Sequence, residues 1–238
     1  TQEWKVENTR RLTISFFYMN NTEQLRQLMT LDANMNTYDI EERFEKIAKM
    51  LFESFAIQKG ETVYLFKEIE FYFYNKNHRD IITHPRVSKP LCWYINDFGG
   101  IDINFTSSIE CVNRENSKGK NVMKYVLDDS AYFGGILIRQ LIEKESGEIL
   151  KSPLACVELF RCYDATGVDY EFPLLVDHNN DVMSFIRKPR INLIRSNQSV
   201  EAKVNNILYQ YHDNVRPDNE TLYQDFKNFK DRLYGYEQ

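Results

Sequence analysis

The sequence predicts an α+β fold: a single domain with a curved, mainly antiparallel or mixed β-sheet flanked by a few helices. Runs rich in β-branched and aromatic residues recur along the chain, without the regular alternation with helical patterns that parallel α/β proteins show. Hydrophobic residues make up 42% of the 238 residues and aromatic residues 14%, which is ample for a core. Only 9 glycines and 6 prolines are present, which argues against a disordered chain or a repeat array.

The apolar pattern assigns each element in turn. The best helix spans 37–55, where apolar residues fall at helical spacing and Thr37 precedes acidic residues that favour a helix start. The best strand spans 62–74. The other predicted elements are a strand over 12–19, a short helix over 23–29, strands over 92–95, 101–105 and 134–143, and a helical stretch over 222–233. No linker interrupts the chain, so we expect one domain over 1–238 with a polar, helical C-terminal extension over 200–238.

The overall charge limits the partners. The net charge is −5 and the isoelectric point about 5.5, whereas strong nonspecific DNA binders are usually basic. No segment reaches the ~18 apolar residues of a membrane helix. The four cysteines contain no CxxC pair, so their spacing is not that of a zinc site. We therefore expect a cytoplasmic protein with reduced thiols, no metal and no membrane partner.

The most informative stretch runs from Tyr64 to His84. Glu70 and Tyr72 are two positions apart in a predicted strand, so their side chains should share a face. A carboxylate beside an aromatic ring, in a strand too apolar to be simple surface, could be a tuned general base next to a stacking platform. With His84, these groups suit a planar, hydrogen-bonding ligand such as a nucleobase. The alternative is a solvated glutamate among aromatic side chains of the core.

Polar residues interrupt four otherwise apolar segments: Glu70, His84, Asn104 and Arg139. Buried polar groups cost free energy unless they have partners, so these four side chains could converge on one pocket. Glu70 and Arg139 could equally form a buried ion pair with a structural role. No phosphate-binding loop and no nucleophile elbow occur.

The order of these segments resembles that of the methylpurine (alkyladenine, or 3-methyladenine) DNA glycosylases of the mammalian type. The likeness covers roughly residues 40–195, which would form the glycosylase-like core. The segments that carry it, in order, are ERFEKIAKMLFESFAI, KEIEFYFY followed by DIITH, CWYINDFGGIDINF, GGILIRQLIE and RKPRINLI.

The resemblance implies a role for each matching residue. Glu70 would be the general base that activates the hydrolytic water, and Arg139 would help to hold that water. Asn104 would discriminate between base edges at the pocket wall. The reaction would be hydrolysis of an N-glycosidic bond with the base flipped out of the duplex, and it would need no cofactor. The flipped base would be sandwiched by Tyr72, His84 and Tyr94.

The chain departs from the family at its DNA-contacting positions. The family's wedge corresponds to Asp97 and Phe98, and an aspartate there would repel phosphates although Phe98 could still insert. A glycosylase would need a basic rim, for which the candidates are Arg86, Lys89, Arg187, Lys188 and Arg190. The alternative function is a non-catalytic module on the same fold that binds a nucleobase or another planar ligand. Any binding to nucleic acid is expected to be weak because the chain is acidic.

Overall fold

The computed structural model describes residues 20–96, 99–115, 118–161, 171–181, 184–194, 198–211 and 218–238. In these ranges the fold is α+β, with a mostly antiparallel sheet and five helices, as the sequence predicts. The predicted strand over 12–19 lies outside the described residues. The helices are α1 (Asn21–Leu28), α2 (Thr37–Ser54), α3 (Leu154–Phe160), α4 (Val200–Tyr209) and α5 (Asn219–Lys230).

Helix α2 packs against the sheet through the face that the sequence predicts. Its buried side chains include Ile40, Phe44, Ile47 and Leu51, which follow helical spacing. The helix is capped by Asn36, whose side chain accepts a hydrogen bond from the backbone N–H of Asp39 at 3.0 Å. The cap therefore lies one residue before the predicted Thr37, and asparagine is among the residues preferred there.

Ten of the described strands form one sheet, and two form a separate hairpin. The main path through the sheet is β10-β1-β2-β8-β5-β4, and its named strand pairs are antiparallel. The strands are β1 (Phe55–Lys59), β2 (Thr62–Asn75), β3 (His78–Arg79), β4 (Trp93–Ile95), β5 (Ile101–Asn104), β6 (Glu110–Glu115), β7 (Asn121–Val126), β8 (Phe133–Glu143), β9 (Ile149–Lys151), β10 (Leu174–Asp177), β11 (Ile186–Lys188) and β12 (Gly235–Glu237).

Strand β2 lies at the centre of the sheet, and its two faces differ in character. Ile69, Phe71 and Phe73 are buried in the core. The ring of Phe71 stacks there on that of Phe44 in α2, with 4.6 Å between the ring centroids. Because successive side chains in a strand alternate, Glu70 and Tyr72 point to the opposite face. The register between β2 and β8 shifts on both sides of Glu68, which marks a bulge.

The C-terminal segment contributes to the core, whereas the sequence predicts a polar extension over 200–238. Strand β12 pairs with β2 opposite 68–70. Helix α5 buries Leu222, Phe226 and Phe229. Polar residues hide this role in the sequence because only one face of α5 is apolar. Among the described residues, no helix combines the length and apolar character that crossing a membrane requires.

Candidate functional site

Strand pairing brings four of the predicted site residues to the same face of the sheet. Tyr94 is paired with Asp102, Asp102 with Leu137, and Leu137 with Glu70. Directly paired residues of antiparallel strands point to one face, so this row crosses four strands on the side away from α2. A neighbouring row joins Asn104, Gly135 and Tyr72 in the same way. The prediction that Asp102 and Asn104 share a face is confirmed.

A cavity of about 580 Å³ opens on this face, within the size range of small-molecule sites. Its apolar wall is formed by Ile82, Leu137, Pro153, Ile191, Leu193 and Ile207. Side-chain amides border it at Asn96, Asn192, Gln198, Asn206 and Gln210. Among the described residues, the charged side chains in its lining are Arg86, Asp102, Arg139 and Lys203. Tyr72 and His84 complete the wall, together with Gly100 and Ser152.

Glu70 lies immediately behind this wall. The Tyr72 hydroxyl donates a 2.7 Å hydrogen bond to its Oε2, and the Ile191 backbone N–H donates one of 2.7 Å to its Oε1. The side chain is 0% exposed. Burial raises the pKa of Glu70 above its ordinary value, against the opposing effects of Arg139 and of the two hydrogen bonds. A raised pKa is typical of carboxyls that exchange protons, but neither oxygen is open to the cavity.

Tyr72 connects Glu70 to the cavity. One side of its ring contacts Arg190, whose guanidinium carbon lies 4.6 Å from the ring centroid. Burial and the adjacent Glu70 carboxylate raise the pKa of the Tyr72 hydroxyl well above its ordinary value. The hydroxyl therefore keeps its proton at neutral pH and donates to the carboxylate. Tyr72 also lines the cavity.

Arg139 reaches the cavity from an irregular point of β8. Ile138 is paired with Ile69 and Gln140 with Glu68, so Arg139 has no partner in β2. Bulges of this kind redirect a side chain. The Nε atom of Arg139 lies 3.7 Å from Glu70 Oε1, which is an ion-pair contact but too long for a hydrogen bond. The side chain is 17% exposed.

Arg86 organises the other end of the site. Its Nη1 donates to Asp102 Oδ2 at 2.5 Å and to Asn104 Oδ1 at 2.9 Å. Its guanidinium lies 4.1 Å from the ring centroid of Tyr94. A Cβ on Gly135 would lie 3.3 Å from Arg86 Nη1 and 3.0 Å from Asn104 Oδ1. The absence of a side chain at Gly135 therefore leaves room for the hydrogen-bonded side chains of Arg86 and Asn104.

The predicted residues thus fall into two groups. Tyr72, His84 and Arg139 line the cavity itself. The other three, Glu70, Asn104 and Tyr94, contact cavity-lining residues. The proposed wedge, Asp97 and Phe98, lies outside the described residues.

The predicted basic rim is wrong for Arg86 and Arg190. Both are buried, at 5% and 4% exposure, and each is paired with an aspartate. Arg190 donates two hydrogen bonds to Asp80 and one each to the backbone carbonyls of Phe71 and Phe229. Both guanidinium groups are buried and paired with aspartates, so they do not form an exposed basic rim.

The other rim candidates differ in exposure. Lys188 contacts the carboxylates of Glu68 and Glu237, at 2.7 and 2.6 Å. Lys89 and Arg187 are exposed. Neither of those two lines the cavity among the described residues.

Helix α4 supplies a wall that the sequence did not predict. Its cavity-lining residues are Lys203, Asn206 and Ile207, and Gln210 directly after the helix continues the same face. That spacing is a usable signal in the sequence, but the polar composition of 200–238 predicts only a polar, helical extension. Asp102 was also missed as a site residue, although its place beside Asn104 in β5 was predicted.

Comparisons with models of protein families, with curated proteins and with solved structures each found no match. The resemblance to methylpurine DNA glycosylases therefore stays a prediction. Among the described residues, no group of three or more His, Cys, Asp or Glu side chains is placed to hold a metal ion.

Proposed function

We propose that this protein binds a small planar ligand of the nucleobase class in the cavity between the sheet and α4. The observation that carries the proposal is the composition of the cavity wall. Among the described residues, Tyr72 and several aliphatic side chains border the same space as five side-chain amides. Flat heterocycles need both features, because they stack through their faces and form hydrogen bonds through their edges.

The state of Glu70 supports binding more than hydrolysis. A general base must have a lone pair within hydrogen-bond reach of the water that it deprotonates. In this arrangement Oε1 accepts from Ile191 and Oε2 accepts from Tyr72, and the side chain is fully buried. The carboxylate therefore acts first as an acceptor that fixes the orientation of the Tyr72 hydroxyl.

The test is calorimetric titration with adenine, guanine, hypoxanthine, cytosine, uracil and their nucleosides. We expect at least one of them to bind. Asn206→Ala should weaken that binding about fivefold, the equivalent of about 1 kcal/mol for a neutral hydrogen bond. Asn205→Ala is the matched control, because Asn205 is also exposed on α4 but does not line the cavity. Equal affinities of the two variants, or no binding of any probe, would contradict the proposal.

A second candidate function is hydrolysis of the N-glycosidic bond of a bound nucleoside or flipped nucleotide. The raised pKa of Glu70 beside Arg139 favours it. The Tyr72–Glu70 hydrogen bond would have to open so that water could reach Oε2. Release of free base from nucleosides, and abasic sites in duplexes carrying hypoxanthine or ethenoadenine, would be the products. Glu70→Gln should then reduce the rate by ~10²–10⁴-fold.

A further inference from the structure

The ion pair of Arg86 and Asp102 lies in the cavity wall, and its carboxylate keeps acceptor capacity after the pairing. Asp102 is 3% exposed, and its Oδ2 accepts from Arg86 Nη1 at 2.5 Å. Its Oδ1 lies 3.4 Å from Asn96 Nδ2, whereas N–H···O hydrogen bonds are usually about 2.7–3.2 Å. An ionised carboxylate has about four acceptor sites, so Oδ1 can accept a further hydrogen bond at the cavity wall.

The Arg86 side chain keeps donor capacity next to that oxygen. Its Nε donates to the carbonyl oxygen of His84 at 3.1 Å, and its Nη1 donates to Asp102 and Asn104. The ring of Tyr94 lies against the guanidinium, with 4.1 Å between the guanidinium carbon and the ring centroid. Nη2 carries two N–H donors, and within the described part of the chain it donates no hydrogen bond. The guanidinium is therefore held in one orientation with its Nη2 end unused.

An acceptor beside a donor is complementary to the hydrogen-bonding edge of a base. Each common nucleobase carries an N–H next to a ring nitrogen or a carbonyl oxygen that accepts, and proteins recognise bases through this edge. Hydrogen bonds to a charged partner are about twice as strong as neutral ones. Because the ion pair of Arg86 and Asp102 is neutral overall, it can bind an uncharged base without leaving an unmatched charge.

The position of Asp102 relative to Tyr72 suits the same ligand. Both side chains line the cavity on one face of the sheet, where β8 separates β5 from β2. Neighbouring strands lie about 4.8 Å apart, so about 10 Å separates the backbones that carry the two residues. A base that stacks on the Tyr72 ring can therefore turn one edge to Asp102.

We infer that Arg86 and Asp102 determine the specificity of the cavity and that its ligand is a base or nucleoside with an unmodified hydrogen-bonding edge. Asp102 Oδ1 accepts the N–H of that edge, and Arg86 Nη2 donates to the neighbouring acceptor. This inference rests on the proposed nucleobase-binding function and specifies its substrate class. Alkyl or etheno groups on the edge replace the N–H, so bases modified there are rejected.

The test compares each nucleoside with two kinds of analogue by calorimetry. In the first kind the edge is alkylated: ethenoadenosine, 1-methylguanosine, ethenocytidine and 3-methyluridine. In the second kind edge groups are deleted without added bulk: purine riboside for adenosine, 2-aminopurine riboside for guanosine, and pyrimidin-2-one riboside for cytidine and uridine. We expect the tightest-binding nucleoside to exceed both of its analogues in affinity by about tenfold or more, as matched hydrogen bonds to a base edge do.

The deletion analogues separate hydrogen bonding from steric exclusion. If they bind as tightly as their parent nucleosides, the inference fails while the nucleobase-binding function stands, even if the alkylated analogues bind weakly. The inference also fails if the alkylated analogues bind as tightly as their parents. If no probe binds, both the inference and the proposed function fail. These comparisons use the parent protein and do not depend on the folding of any variant.

Asp102→Asn tests the acceptor directly. Arg86 requires the amide oxygen, so the amide nitrogen faces the N–H of the ligand and the preference over the deletion analogue should fall to near one. The control is Asp225→Asn, which removes the same charge from the pair with Arg79 at 2.8 Å. Neither Asp225 nor Arg79 lines the cavity among the described residues, so the preference should stay at its parental value. Melting temperatures show that each variant is folded, and a parental preference in folded Asp102→Asn would contradict the inference.

Discussion

Replacing Glu70 with glutamine removes one negative charge from behind the cavity wall and preserves the shape of the side chain. The amide oxygen can still accept from Ile191, and the amide nitrogen can donate to the Tyr72 oxygen. The lost attraction to Arg139 at 3.7 Å is about 4.5 kcal/mol at an effective dielectric of ~20. Each of the two hydrogen bonds also becomes a neutral one, which lowers its contribution to stability by ~1 kcal/mol.

The variant also removes the cost of burying a carboxylate, which is several kcal/mol. The raised pKa of Glu70 shows that this cost exceeds the favourable contacts. Arg139 borders the open cavity, so its charge keeps access to water. We therefore expect the free energy of unfolding at pH 7 to change by no more than about 1 kcal/mol, or about 2–4 °C in Tm.

The assay is urea unfolding followed by circular dichroism from pH 4.5 to pH 8, with the parent protein as control. Between the ordinary pKa of 4.5 and the raised pKa, folded Glu70 is protonated while unfolded Glu70 is ionised. The parent's stability relative to Glu70→Gln should therefore fall as pH rises through this window. A loss of about 3–5 kcal/mol at pH 7 would instead mean that Glu70 serves mainly as the counter-charge of Arg139. A relative stability that rises with pH would refute the reasoning.

Three further outcomes are expected. Arg190→Met leaves Asp80 buried without its partner and should lower the free energy of unfolding in urea by about 3–5 kcal/mol. The control Arg187→Met should lower it by less than ~0.5 kcal/mol. A similar loss for both variants would contradict the assigned ion pair. Tyr72→Phe removes the hydroxyl that donates to Glu70 and should lower the free energy of unfolding by about 1–3 kcal/mol in the same assay. An unchanged free energy of unfolding would count against that hydrogen bond. Duplex DNA should bind weakly and with steep salt dependence in fluorescence anisotropy, since two of the predicted rim arginines are buried, and nanomolar affinity at physiological salt would contradict this.

Local patterns predicted the parts of the site that depend on one element at a time. The period of two along β2 places Glu70 and Tyr72 on one face, and their hydrogen bond confirms it. The period of 3.6 along α2 predicts the helix that covers the other face. The period of two also places Asp102 and Asn104 on one face of β5.

Contacts between distant segments leave no pattern in the local sequence. Arg190 and Asp80 are 110 residues apart, and no local pattern shows that their charges cancel in the core. Arg139 lies at a bulge that depends on how β2 and β8 align. Helix α4 reaches the cavity only because the C-terminal segment folds back over the sheet, so its polar residues resemble an ordinary solvated helix in the sequence.

The cavity between the sheet and α4 is proposed to hold a planar ligand. The most direct measurement is a crystal structure of the protein with the tightest-binding base or nucleoside from the titrations. The base should lie against the Tyr72 ring, with its edge within about 3.2 Å of the side-chain amide of Asn206 or Gln210. Density for the ligand elsewhere on the protein, with the cavity holding only water, would contradict the account.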